Sequence, residues 1–210
     1  MDARQELTAA KLLNASSIQE LAILFKSFGE EQQAGRIARA IETARKSAPL
    51  TTTVQLARVI ESVAGKGTRD SLKTKMRVFQ ALRIAVNGEL AELETALKDA
   101  INLLKPGARV AVLSYHSLED RIVKNIFRDA AKGCLCPPRQ IVCGCGLQPR
   151  LAILTGRPIC ASGAETLANP RARSAKLRVA EKLTGASNTV STRTVQSQTS
   201  KFADPQGEQS

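Results

Sequence analysis

The sequence predicts an α/β fold whose first half is helical, and three observations predict it. Apolar residues recur at helical spacing through the first hundred residues. A turn, Lys105-Pro106-Gly107, then opens a short β-branched run over residues 109–113, bounded as a buried strand would be. That run leads directly into another helical pattern that ends near Ala131. Helix, turn, strand, helix is one step of an α/β fold, for which a parallel sheet is the expectation. Residues 150–154 and 175–183 read as two further strands.

Taken in order, Ser16 with Gln19 three residues on is the expected cap of a first long helix carrying Ile18, Leu21, Ala22, Phe25 and Phe28, and Gly29 ends it. A second helix over residues 30–46 presents Ala34, Ile37, Ala38, Ile41 and Ala44 on one face. Pro49 and the threonines 51–53 supply a stop and a start. Thr52 and Gln55 form a capping box ahead of Leu56, Val59, Ile60 and Val63. A Gly/Lys loop over 64–70 precedes a basic amphipathic helix, 73–86, through Met76, Phe79, Leu82 and Val86. Asn87 is the expected cap of the next helix, which runs to about Leu104 through Leu97 and Ile101. Such stripes are read as core. Ser117, with Asp120 three residues later, is the expected cap of the helix after the strand. Residues 133–146 are rich in Cys, Pro and Gly, and residues 184–210 are Ser/Thr/Gln-rich without apolar periodicity, the composition of a disordered tail.

The chain has 210 residues, 43% hydrophobic and only 3% aromatic, so its core is aliphatic and rows of base-stacking aromatics are excluded. Net charge is +12, which favours a polyanionic partner, nucleic acid before membrane. Residues 1–70 carry 10 basic and 8 acidic groups, residues 71–150 carry 13 and 7, and residues 151–210 carry 8 and 4. The anion-facing surface is therefore expected in the C-terminal two thirds. There is no secretory signal pattern and no apolar run of the roughly 18 residues a membrane span needs, so a cytoplasmic location is expected.

Three constellations could carry chemistry. In open α/β sheets ligands collect outside the carboxyl ends of strands. The 109–113 strand leads into Ser114, Tyr115 and His116, the only histidine, so Ser114 and His116 are the catalytic candidates. The run Asn169-Pro-Arg-Ala-Arg-Ser-Ala-Lys-Leu-Arg178 places Arg171, Arg173, Lys176 and Arg178 within eight residues, a set suited to phosphate contacts. On a strand, Lys176 and Arg178 would face one side and Leu177 and Val179 the other; the competing reading is a solvated basic edge. Cys134, Cys136, Cys143 and Cys145 form two tight Cys-x-Cys knuckles that fit a structural zinc site, against reduced unligated thiols as the alternative. Cys160 stands apart and is expected to be a small buried residue. No Gly-rich loop follows a strand and no strand ends in the acid that holds a ribose, so the cofactor cradle of such folds is missing.

Several runs together resemble one family, the bacterial small-subunit ribosomal RNA cytosine-N4 methyltransferases, also called MraW. They are Leu7-Thr-Ala-Ala10 with Leu13-Asn14, Phe28-Gly-Glu-Glu31, Val78-Phe-Gln-Ala-Leu-Arg-Ile-Ala-Val-Asn87, Leu104-Lys-Pro-Gly107 and Ser114-Tyr-His-Ser-Leu-Glu-Asp-Arg-Ile-Val-Lys124. The Cys segment, Leu154-Thr155 with Arg157-Pro-Ile159, and residues 169–183 complete the match, which covers about residues 1–183 in order.

The resemblance implies the C-terminal part of a class I, Rossmann-like methyltransferase sheet with a helical insertion that helps grip RNA. Residues 1–75 would be the insertion, 76–183 the C-terminal half of the methyltransferase domain including the Cys segment, and 184–210 the tail. It implies methyl transfer from S-adenosylmethionine to the exocyclic amine of a cytidine in small-subunit rRNA. That amine is a poor nucleophile, so it must be positioned and must lose a proton. Arg77 would join the RNA-binding set, although residues 73–77 read Lys-Thr-Lys-Met-Arg where the family has a His-Pro-Ala-Thr-Arg run. The family's Gly-rich loop, ribose acid and Asp-Leu-Gly strand end match no position here, and Met1-Asp2 corresponds to an internal Met-Asp. The chain is accordingly expected to lack the N-terminal cofactor-binding part, to bind S-adenosylmethionine negligibly alone, and to need a separate N-terminal half or a dimer partner. The alternatives are a non-catalytic RNA-binding remnant and a small zinc-stabilised structural module.

Overall fold

The computed structural model describes residues 7–133, 136–137, 142 and 144–184. Five helices build the first unit: α1 (Ala9–Ala15), α2 (Ile18–Gly29), α3 (Ala34–Ser47), α4 (Thr53–Ala64) and α5 (Arg69–Asn87). Leu21, Leu24 and Phe25 of α2, Ile37 and Ile41 of α3, Leu56 and Ile60 of α4, and Val78, Leu82 and Val86 of α5 share one core; Met76, expected on the apolar face of α5, is exposed instead, and Val78 fills that face. The Thr52/Gln55 capping box forms as expected, but α2 is capped by Ser17 with Glu20, one residue later than Ser16 and Gln19. Asn14 ties α1 to the segment before α4, donating to the Leu50 carbonyl at 2.9 Å and accepting from the Leu50 amide at 3.0 Å.

At Gly29 the backbone of α2 stands close against that of α5. A Cβ there would stand 2.7 Å from the Arg77 carbonyl oxygen, a backbone atom that cannot swing away. Gly29→Ala is therefore expected to destabilise the chain by about 1–3 kcal/mol, the usual result of overpacking. Urea unfolding of the single variant reads it directly. The expected second helix starts late, at Ala34, because Glu30 ends α2 in a left-handed conformation, φ 51°.

The second unit starts after Gly88, φ 64°, which both ends α5 and caps α6 (Glu89–Leu103). The cap expected at Asn87 thus belongs to the next residue. The boundary expected at 75/76 falls inside α5, whose residues 78–86 lie in the helical core. Then follow β1 (Arg109–Ser114), α7 (Ser117–Lys132), β2 (Leu151–Ile153), β3 (Ile159–Cys160), the six-residue α8 (Gly163–Ala168), a 3-10 turn (Pro170–Ser174) and β4 (Lys176–Lys182).

The parallel sheet expected from the sequence is not what forms: every pairing among the described strands is antiparallel, in the order β1-β4-β2, with β3 also on β4. The reason is topological. β1 and β2 run the same way, as a helical crossover demands, but β4 slots between them against both. Its register runs from Arg109↔Glu181 to Ser114↔Lys176 on one side and from Leu151↔Lys182 to Ile153↔Ala180 on the other. β3 continues the β2 side after an interruption at 154–158, where Thr155 bonds the Val179 backbone. Cys160, expected buried, is exposed there.

α6 and α7 cover one face of this sheet with Leu97, Ile101, Val123, Phe127 and Ala130 against Leu151, Ala180, Val110 and Val112. The strand alternation in β4 holds, but its cation side is the covered one. Arg178 and Lys182 flank the fully buried Ala180, and only 8% and 3% of their surfaces are exposed. α7 and α6 supply their partners, Asp120 and the Ile101 carbonyl. The expected tail beyond residue 184 lies outside the described residues.

Candidate functional site

The carboxyl end of β1 is a polar junction in which the side chains are already committed. Ser114 is buried and its hydroxyl donates to the Lys176 carbonyl at 3.3 Å, across the β1–β4 ladder. His116, not Ser117, is the cap of α7: its Nδ1 accepts from the Glu119 amide at 3.3 Å. Glu119 completes the capping box, accepting from the Tyr115 and His116 amides at 2.8 and 3.2 Å. Burial pushes the His116 imidazole below the usual histidine range, with the Glu119 carboxylate opposing. A neutral ring whose Nδ1 accepts carries its proton on Nε2. Nε2 is buried and lies 3.0 Å from Glu119 Oε1 without the alignment of a hydrogen bond. In this arrangement neither ring nitrogen offers a free lone pair for taking up a proton. Ser114 and His116 thus each make a structural bond at the strand end.

Asp120, expected as a cap, instead pairs with Arg178. Oδ1 accepts from Nε at 2.6 Å and Oδ2 from Nη2 at 3.2 Å, with Lys176 Nζ 3.7 Å from Oδ2. The Arg178 hydrogen bonds hold the Asp120 carboxyl below the usual carboxylate range. Arg178 is thereby removed from the phosphate-facing set, because its fork is spent on a buried carboxylate. Arg171 and Arg173 remain exposed on the 3-10 turn, and Lys176 is half-buried.

The structure brings together runs far apart in sequence. Arg77 Nη1 stands 3.5 Å from Glu31 Oε2, and Glu31 is buried, with Oε1 accepting from the Gln33 amide at 2.8 Å. With Asp70, Lys73 and Thr74 these residues line a polar cleft of about 280 Å³. One residue earlier, Glu30 accepts from the Ser117 hydroxyl at 2.6 Å and from Arg121 at 2.7 Å. Sequence reasoning missed Glu30 and Glu119 as site-building residues. The one local signal was two acids directly after the glycine that ends an apolar helix.

Of the four cysteines expected around zinc, Cys134 and Cys143 lie outside the described residues. Among the described residues no group of three or more His, Cys, Asp or Glu stands together as a metal site. Among them too, no helix is long and apolar enough to cross a membrane.

Comparison with known proteins agrees with the residue runs. The sequence pattern of the MraW methylase family matches residues 1–183. Proteins named ribosomal RNA small subunit methyltransferase H are similar to this chain along most of its length. That of Oleidesulfovibrio alaskensis is 50% identical over 178 residues, 84% of this chain and 55% of that protein. That of Trichlorobacter lovleyi is 51% identical over 177 residues, 84% and 56% respectively. That of Geobacter sulfurreducens is 52% identical over 177 residues, 84% and 57%. The chain spans little more than half the length of these relatives. Its match from residue 1 to residue 183, through the Glu30–Glu31 turn, the β1 end and the β4 cluster alike, assigns it: the chain belongs to the MraW methylase family.

Proposed function

We propose that this chain is the C-terminal part of an S-adenosylmethionine-dependent methyltransferase acting on the exocyclic amine of a cytidine in small-subunit rRNA. The observation that carries the reading is the family match over residues 1–183, with relatives about half identical that bear the name of a small-subunit rRNA methyltransferase. The alternation of β1, α7 and β2, two strands of common direction joined through a helix with β4 between them, is compatible with a methyltransferase sheet. Such a location in rRNA processing fits the cytoplasm.

The methyl donor does not fit the described residues. The turn from β1 into α7 contains no glycine, and the N-terminus of α7 is already occupied by His116 and Glu119. A backbone cradle for a nucleotide needs open amides and close approach. The donor therefore has to be held by residues beyond this set, and the chain's own contribution is to close the sheet and to grip RNA. Among the described strands β1 pairs on one side only, and Leu113 and Tyr115 are exposed beside it, a face suited to strands from an N-terminal half.

The experiment supplies that half as the N-terminal portion of the Geobacter sulfurreducens relative and follows labelled methyl transfer into small-subunit rRNA. Transfer is expected only with both pieces, and the chain alone should show no calorimetric binding of S-adenosylmethionine. Micromolar binding by the chain alone, or no transfer with both pieces, overturns the reading. In the same assembly the double variant Arg171→Ala/Arg173→Ala should weaken RNA binding and flatten its dependence on salt by about one unit of slope per lost phosphate contact.

A further inference from the structure

Glu30 keeps a backbone conformation that no other described non-glycine residue keeps. Its φ of 51° is left-handed, a region glycine enters freely and an L side chain does not. Strain of this kind persists where something else over-determines it. Here the side chain reaches out of the helical unit to the other one: the Ser117 hydroxyl and the Arg121 guanidinium donate to its two oxygens at 2.6 and 2.7 Å. Both donors stand in the first two turns of α7, which follows β1 after only Tyr115 and His116. The Ser117 and Arg121 bonds hold the Glu30 carboxyl below the usual carboxylate range, so it is ionised at neutral pH and both bonds are charge-assisted.

The other described polar contacts at the junction lie beside Gly88, where Arg83 of α5 donates to Glu89 at 3.2 and 2.9 Å and Asn87 donates to Glu89 at 2.9 Å. The two apolar cores have no buried residue in common. The chain passes from one to the other through Gly88, itself left-handed, where an added Cβ would meet nothing within 4 Å. Its amide donates to the Ile84 carbonyl and its carbonyl accepts from the Ala91 and Glu92 amides, so it is the single residue shared by the ends of two helices, and hinges are such element-terminal positions.

We propose that Glu30 is a positioning residue: with Gly88 as the hinge, its grip on Ser117 and Arg121 sets how the helical unit stands over the carboxyl end of β1. Resting on the methyltransferase reading, this angle fixes how RNA held on the helical unit is presented to the sheet. The carboxylate acts through Ser117 and Arg121 and need not touch substrate. The left-handed turn is what aims it, since a right-handed residue at position 30 would carry α2 onward instead of ending it.

Residual dipolar couplings of backbone amides in the full 210-residue chain test this without any activity. In the unaltered chain, amides of α2–α5 and amides of α6, α7, β1 and β4 should fit one alignment tensor. Glu30→Gly removes the carboxylate and relieves the left-handed strain, so its melting temperature should not fall. Arg121→Ala leaves α2 untouched. In both variants the two sets of amides should lose the common tensor and require separate ones. A role confined to ending α2 would leave the tensor unchanged, because glycine ends a helix as well. Retention of the single tensor in both variants overturns the proposal, as does failure of Glu30→Gly to fold. Failure of methyl transfer with intact tensors would count against the methyltransferase reading alone, so the two are separable.

Discussion

Asp120→Ala is expected to destabilise the chain by about 3–5 kcal/mol, the cost of leaving a buried charge without its partner. The side chains of Asp120 and Arg178 are 12% and 9% exposed, and the two-point contact at 2.6 and 3.2 Å is the whole of the described compensation for Arg178. Removal of the carboxylate strands a guanidinium that cannot shed its proton. Arg178→Ala should cost less, because Lys176 Nζ at 3.7 Å remains to answer Asp120. The double variant Asp120→Leu/Arg178→Met removes both charges and should recover most of the loss, since isolated buried charges cost more than none. Urea unfolding of the four proteins reads these losses; equal losses from the two single variants would contradict the asymmetry.

The pH dependence has a definite sign. Asp120 has its folded pKa lowered from 3.8, so its contribution is fully present above that value and is lost as pH falls through the lower folded value. Asp120→Asn should abolish that part of the acid sensitivity, while leaving stability at pH 7 lower than in the unaltered chain.

This pair also shows why the sequence was legible in some places and not in others. Helix faces were readable because the spacing of Leu21, Phe25, Ile37, Ile41, Leu56 and Ile60 is a local pattern with one physical meaning. The strand alternation at 176–182 was equally local. Which side faces inward was not, because four cations in eight residues look solvated until Asp120, 58 residues away, is known to lie beneath them. The same holds at the start of α7. Ser117 is the better capping residue by type, yet His116 takes the role because the chain leaves β1 one residue earlier and its Nδ1 meets the Glu119 amide. Sheet direction failed for a third reason. The local step from β1 through α7 does return a strand of common direction, but only tertiary pairing decides that β4 stands between them. The family runs were legible as a whole, whereas the Glu30 contact across 87 residues was not.

The other large effect concerns the helical core. Phe25 is fully buried on α2, a helix packed against α3 and α5, and Phe25→Ala is expected to cost about 3–5 kcal/mol through lost burial and the cavity left behind. Its distribution matters more than its size. Phe25 belongs to the core spanning Leu12 to Val86, and Phe127 to the core spanning Leu97 to Ala180. Between them stand one glycine and a set of polar contacts, which transmit far less than interdigitated side chains do. Native-state hydrogen exchange should therefore show Phe25→Ala accelerating amides of α2, α3 and α5 much more than those of β1 and β4. Phe127→Ala should do the reverse. Uniform acceleration in either variant would mean that the two cores open as a single cooperative unit. In that case the Glu30 contact would be one strand of a tighter interface, and the hinge at Gly88 would have no freedom to exercise.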